Sequence, residues 1–137
     1  MEVNNTNSWI DDAIAGWKAS KTKLQPGVSI KMIHQFETVL QVNFPQDFID
    51  FYTNVNGFEL YDWNEHMFSL WPLERIKDEY DSEIGYIALC DFLIDSYRIG
   101  ILLETGYIYK DFDFVNPIAK SFKEFIILLN KNDDTLY

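Results

Sequence analysis

Carboxylates are the side chains of this chain best suited to chemistry. Asp111-Phe112-Asp113-Phe114 alternates acid with aromatic, and on a strand that alternation puts both carboxylates on one face. Two carboxyl groups so placed raise one another's pKa and could divide acid and base roles between them. The same alternation describes a solvated outer face over a buried Phe112–Phe114 face. No substrate-positioning group accompanies the pair, so the solvated face is the preferred reading. His34 and His66 belong to no recognised metal-binding spacing and read as ordinary surface or satisfied histidines. Cys90 is the only cysteine, which excludes an internal disulfide and a cysteine-based zinc site. It ends the apolar run Ile87-Ala88-Leu89-Cys90 and is expected to be a buried, inert thiol. The sequence contains no strained nucleophile elbow of the GxSxG type and no glycine-rich phosphate loop. These residues assign no catalytic group, no cofactor and no metal, and the expectation is a protein that is not an enzyme.

Charge says more than any motif. The chain has 22 acidic and 11 basic residues, a formal net charge of −11. Residues 1–58 carry −2, residues 59–113 carry −9 from thirteen acids and four bases, and residues 114–137 are neutral. Such a field repels phosphate backbones, which argues against nucleic acid, and it draws in a basic protein surface. Acidity also keeps a protein soluble with no partner implied. Tyr61, Trp63, Phe68 and Trp71 interleave with the first of these acids. They either anchor a binding surface or belong to the core. The contact residues expected are Glu59, Asp62, Glu65, Asp91, Asp95, Asp111 and Asp113, with Tyr61 and Trp63 as aromatic anchors.

A chain of 137 residues that is 47% hydrophobic can bury one core, and one domain over 1–137 is expected. Trp9, Ala13 and Trp17 share one face of a first helix with Ile10 and Ile14. Gln25-Pro26-Gly27 reads as a turn. Ser29 caps a second helix whose face is Ile30, Ile33, Phe36 and Leu40, with Val39 beside them. Pro45 starts a third, carrying Phe48, Phe51, Tyr52 and Val55 inward, and Asn56-Gly57 is expected to end it. Strands follow at Phe58–Leu60, Met67–Leu70, Tyr86–Phe92, Tyr97–Leu103 and Tyr107–Phe112, with a short helix from Pro72 between them. Ser121 and Glu124 form a capping box before an apolar helix over Phe122–Leu129, and residues 131–137 read as a frayed tail. Helices, then strands, then a helix argue an α+β fold: N-terminal helices and a C-terminal helix on a largely antiparallel or mixed sheet. The apolar runs fall far short of the roughly 20 residues that span a bilayer. No signal pattern opens the chain, so no membrane is expected and the cytoplasm is the expected location.

The order of these motifs resembles the SUKH superfamily, the Smi/Knr-type proteins. The residues that carry the resemblance are Ile33, Phe36-Glu37, Leu40, Phe44-Pro45, Asp47-Phe48, Phe51 and Asn56-Gly57, followed at the far end by Ala119-Lys-Ser-Phe-Lys-Glu-Phe125. Phe58-Glu59-Leu60 replaces the family's glycine-rich continuation after Asn-Gly, and Phe44 stands where leucine is commoner. The resemblance implies a SUKH-like fold and a function of binding. Many bacterial members are immunity proteins that neutralise toxins, often nucleases, while fungal relatives regulate cell-wall synthesis through protein partners. For this chain it implies a basic toxin domain as partner, or alternatively an endogenous protein bound by a regulator or scaffold. An enzyme using Asp111 and Asp113 is the third and least favoured expectation.

Overall fold

The computed structural model describes residues 8–60 and 62–137. Helix α1 (Ser8–Ala19) buries Trp9, Ile10, Ala13 and Trp17, the stripe its periodicity predicts. Strand β1 (Leu24–Pro26) replaces the expected turn. It pairs antiparallel with β2 (Val55–Phe58), setting Leu24 opposite Phe58 and Pro26 opposite Val55. Proline is tolerated there because β1 is an edge strand with bonds to make on one side only. In α2 (Ile30–Leu40), Ser29 Oγ accepts the N–H of Met32 at 3.1 Å, as a cap should.

The face of α2 is less buried than its spacing predicts. Only Ile33 is fully buried, and Ile30 and Val39 are exposed. Periodicity marks an apolar face but not how much of it a neighbour covers. Glu37 instead ties the helix to the segment leading into the third one: its carboxylate accepts from Phe44 N at 2.7 Å and meets His34 Nδ1 at 2.6 Å.

Helix α3 (Gln46–Tyr52) is the centre of the core. Phe48, Phe51 and Tyr52 are fully buried. The Phe51 ring lies 6.0 Å from both Trp9 and Trp17 and 5.3 Å from Phe122, so α1, α3 and α5 (Phe122–Lys131) meet at this one side chain. The α5 cap is a variant of the expected capping box: Ser121 Oγ accepts from Glu124 N at 3.0 Å, and the Glu124 carboxylate accepts from Lys120 N, one residue before the cap, at 2.6 Å. Residues 131–137 are not a frayed tail. A 3₁₀ turn over Asp134–Leu136 buries Leu136 completely, Tyr97 Oη donates to its carbonyl at 2.5 Å, and the Tyr137 ring packs on Phe68 and Phe92. One leucine and one tyrosine suffice to dock a segment that is otherwise polar.

Asn56-Gly57 does something other than end α3. That helix stops at Tyr52, and Val55 already belongs to β2. Gly57 has φ +68° inside the strand, and a Cβ there would lie 2.5 Å from the Trp71 carbonyl oxygen. Glycine is needed both for the backbone angle and for that close approach. The buried Asn56 Oδ1 accepts from Leu73 N at 2.9 Å, and its amide donates to Glu74 Oε1 at 3.2 Å. Helix α4 (Leu73–Glu79) is preceded by Pro72, which has no capping side chain, so a strand remote in sequence supplies the cap.

The main sheet is antiparallel throughout, in the order β3 (Phe68–Leu70), β4 (Tyr86–Phe92), β5 (Tyr97–Leu102), β6 (Ile108–Lys110). Together with the helices this is the α+β architecture expected. Phe68 and Trp71 are both fully buried, so they belong to the core and not to a binding surface. Strand β6 is shorter than predicted. Asp113 N bonds to Lys110 O at 3.1 Å, closing a turn, and Phe112 swings into the left-handed region at φ +67°. The expected buried Phe112–Phe114 face therefore does not form: Phe112 is 96% exposed.

Candidate partner-binding surface

A groove of about 380 Å³ opens where the end of α4 meets the outer side of β4 and β5. Glu79 ends the helix, and Asp81 and Ile84 follow on the connection to β4. Tyr86, Ala88 and Arg98 form the sheet floor, while Asp95 and Ser96 come from the β4–β5 hairpin. Asp111 and Phe112 enter from the turn after β6. The hairpin holds Leu93, Ile94 and Asp95 at φ 53°, 55° and 68°. That conformation is costly for a β-branched residue such as Ile94.

Arg98 organises the charges. Its guanidinium bridges Asp95 at 3.0 Å and Glu79 at 3.1 Å, and its backbone N–H donates to Asp111 Oδ2 at 3.0 Å. The Asp95 hydrogen bond is the main cause of its raised pKa. Asp111 is also shifted upward, chiefly by burial. The backbone N–H and charge of Arg98 offset this in part, and the nearby Asp95 adds to it. Burial, with Asp111 close by, also holds the Tyr86 hydroxyl far above its ordinary range, and that hydroxyl donates to Tyr109 O at 2.8 Å.

The predicted contact residues do not gather at one place. Asp95 and Asp111 line the groove. Glu59, Asp62, Trp63 and Glu65 lie in the loop after β2 instead; Glu59 and Glu65 are exposed, Trp63 is half-buried, and Asp62 is tied to Lys23 N at 2.5 Å. Tyr61 lies outside the described residues. Asp91 is only 3% exposed and belongs to the interior: its Oδ2 accepts from Trp71 Nε1 at 2.9 Å and meets Arg75 at 3.2 Å. An acid in an alternating strand looks like a surface residue, but here the sheet is covered on that side too. Asp113 sits beyond the groove, partly exposed. Its pKa is lowered by the N–H groups of Asn116 and Val115, opposite in direction to Asp111. The two carboxylates occupy different environments, and only Asp111 lines the groove.

Sequence reasoning put Phe112 on a buried face, passed over Ile84, and did not single out Glu79 and Asp81 among the acids. The Asp111–Phe114 alternation pointed the wrong way because it assumed that the strand continued. Cys90 is fully buried with its thiol pKa pushed up by that burial, and among the described residues no three metal-ligating side chains come together. No helix among them is long and apolar enough to cross a membrane.

This element order, with Asn56-Gly57 at the start of the sheet and the α5 cap at its end, coincides with a known family. The SMI1 / KNR4 family (SUKH-1) matches residues 27–128. The chain belongs to this family. A comparison with curated proteins found no match. The SUKH match spans α2 to most of α5 and so includes the whole groove. SUKH proteins include both toxin-immunity proteins and cell-wall regulators, are generally non-catalytic, and act through protein–protein binding.

Proposed function

We propose that this SUKH chain is an immunity-type protein that neutralises a basic toxin domain in the cytoplasm by covering it with an acidic surface. One observation carries the reading. Of the thirteen acids in residues 59–113, only Asp91 is buried, and two of the four bases, Arg75 and Arg98, are already paired with acids. The outward field of this region is therefore negative, which favours fast encounter with a basic protein. Occlusion needs no reactive group on this chain. Glu59, Asp62, Glu65, Asp95, Asp111 and Asp113 contribute to the field, and Trp63 remains available as a half-buried aromatic.

The test is co-expression with the toxin-like product of an adjacent reading frame. Protection of the host cell, together with an association rate that falls steeply with salt, is the expected result. No protection and no complex would refute the proposal. A stable complex with a housekeeping protein, without protection, would favour the regulatory role that the family also contains.

A further inference from the structure

Phe112 is almost entirely outside the core. It is 96% exposed and takes φ +67°, a backbone region unfavourable for an aromatic residue. Ile84, 54% exposed, lines the same groove, and Ile94, 69% exposed, stands at the hairpin tip beside Asp95. Exposed apolar side chains gathered beside polar groups mark an interaction site. The charged groups here are mostly of one sign. Four carboxylates (Glu79, Asp81, Asp95 and Asp111) face the single guanidinium of Arg98. Arg98 bridges Glu79 and Asp95, while Asp81 and Asp111 are not ion-paired to it.

We propose that this groove is the docking site for an arginine-bearing segment of a protein partner, with Phe112 as the hydrophobic anchor. Charge complementarity selects the occupant. A guanidinium entering toward Asp81 and Asp111 makes charge-assisted hydrogen bonds, and its flat face and aliphatic stem pack on the Phe112 ring and Ile84. Arginine suits the site better than lysine because it stacks and bonds at the same time. The proposal rests on the protein-binding reading above and adds the place and the chemistry of contact.

The probe is a capped hexa-arginine peptide, followed by amide chemical shifts of the whole chain, with hexa-lysine and hexa-glutamate peptides alongside. Shifts are expected at residues 79–86, 95–98 and 111–114. Phe112→Ser should weaken binding about tenfold, as loss of an aromatic anchor does, and Phe112→Tyr should restore it. Because the ring is exposed, Phe112→Ser should unfold at the same temperature as the parent. Asp81→Asn with Asp111→Asn should lower both affinity and salt dependence. Shifts spread evenly over every acidic segment, with Phe112→Ser binding like the parent, would overturn the proposal. Equal binding of hexa-lysine would overturn the choice of arginine. Shifts at the groove that depend on protein concentration and not on peptide would assign it to a second copy of the chain and also overturn the proposal. Toxin co-expression separates this idea from the one beneath it. If Phe112→Ser still protects fully, the anchor fails and the immunity reading stands. If the parent gives no protection but Phe112-dependent peptide binding persists, the immunity reading fails and the groove stands.

Discussion

Asp91→Ala should destabilise the protein by about 2–4 kcal/mol while leaving the acidic surface intact. The Trp71 indole N–H is fully buried and has Asp91 Oδ2 as its acceptor at 2.9 Å. Leaving such a donor without a partner costs about 1–3 kcal/mol. Arg75 loses its counter-charge at 3.2 Å. Breaking a fully buried pair costs about 3–5 kcal/mol, but the Arg75 side chain keeps 25% of its surface in water and its guanidinium lies 4.0 Å over the Trp71 ring, so this part is well below that range. A third effect runs the other way. Asp91 Oδ1 is buried with no hydrogen-bond partner in the protein, and its removal recovers some desolvation energy. The sum stays in the lower single digits of kcal/mol, or roughly 10 °C in Tm for a chain of this length. Asp91→Asn keeps an oxygen for the indole and loses only the charge, so it should cost about half as much. Urea unfolding followed by tryptophan fluorescence measures both variants, and partner binding by the folded protein should be unchanged. An Asp91→Ala protein within about 0.5 kcal/mol of the parent would refute the idea that this network holds Trp71. Weakened binding with unchanged stability would return Asp91 to the surface role that its position in the sequence suggests.

Three further outcomes are expected. Phe51→Ala should cost about 3–5 kcal/mol in the same urea assay, because the ring touches aromatic side chains of both α1 and α5 and nothing can close the space it leaves. Asn56→Ala should cost about 1–2 kcal/mol through loss of the α4 cap, with the loss of amide protection concentrated at Leu73. Asp111 has a folded pKa raised above its ordinary 3.8, so its contribution to stability is complete below that value and is lost as pH rises through the raised one. Asp111→Asn removes that loss, and the stability of the variant relative to the parent should therefore increase from acid to neutral pH. A difference that shrinks over the same range would refute it.

The helices were the most legible part of the fold. Their caps and apolar stripes are local, and Ser29, Ser121 and the Trp9–Trp17 face were found where spacing placed them. Short strands were located well by their apolar content and less well at their ends. The end of β6 depends on one hydrogen bond, from Asp113 N to Lys110 O, that no periodicity encodes. The candidate site was legible mainly as charge. Asp95 and Asp111 were identified, but Phe112 was assigned to the core because an alternating pattern shows which residues share a face and not which face is covered.

By itself, the sequence determined that this is an acidic α+β chain, with its negative charge concentrated in the strand region and no motif for catalysis. Composition and local periodicity carry that information, and both act within a few turns of chain. Only the tertiary structure decided what Asn56-Gly57 is for, which of thirteen acids is buried, and that Phe112 stands in water at the mouth of a groove. Each of these depends on segments distant in sequence meeting in space. Asn56 caps a helix that begins seventeen residues later, and Gly57 makes room for the carbonyl of Trp71. The groove collects acids from α4, the hairpin and the turn after β6, and their nearness exists only once the sheet has formed.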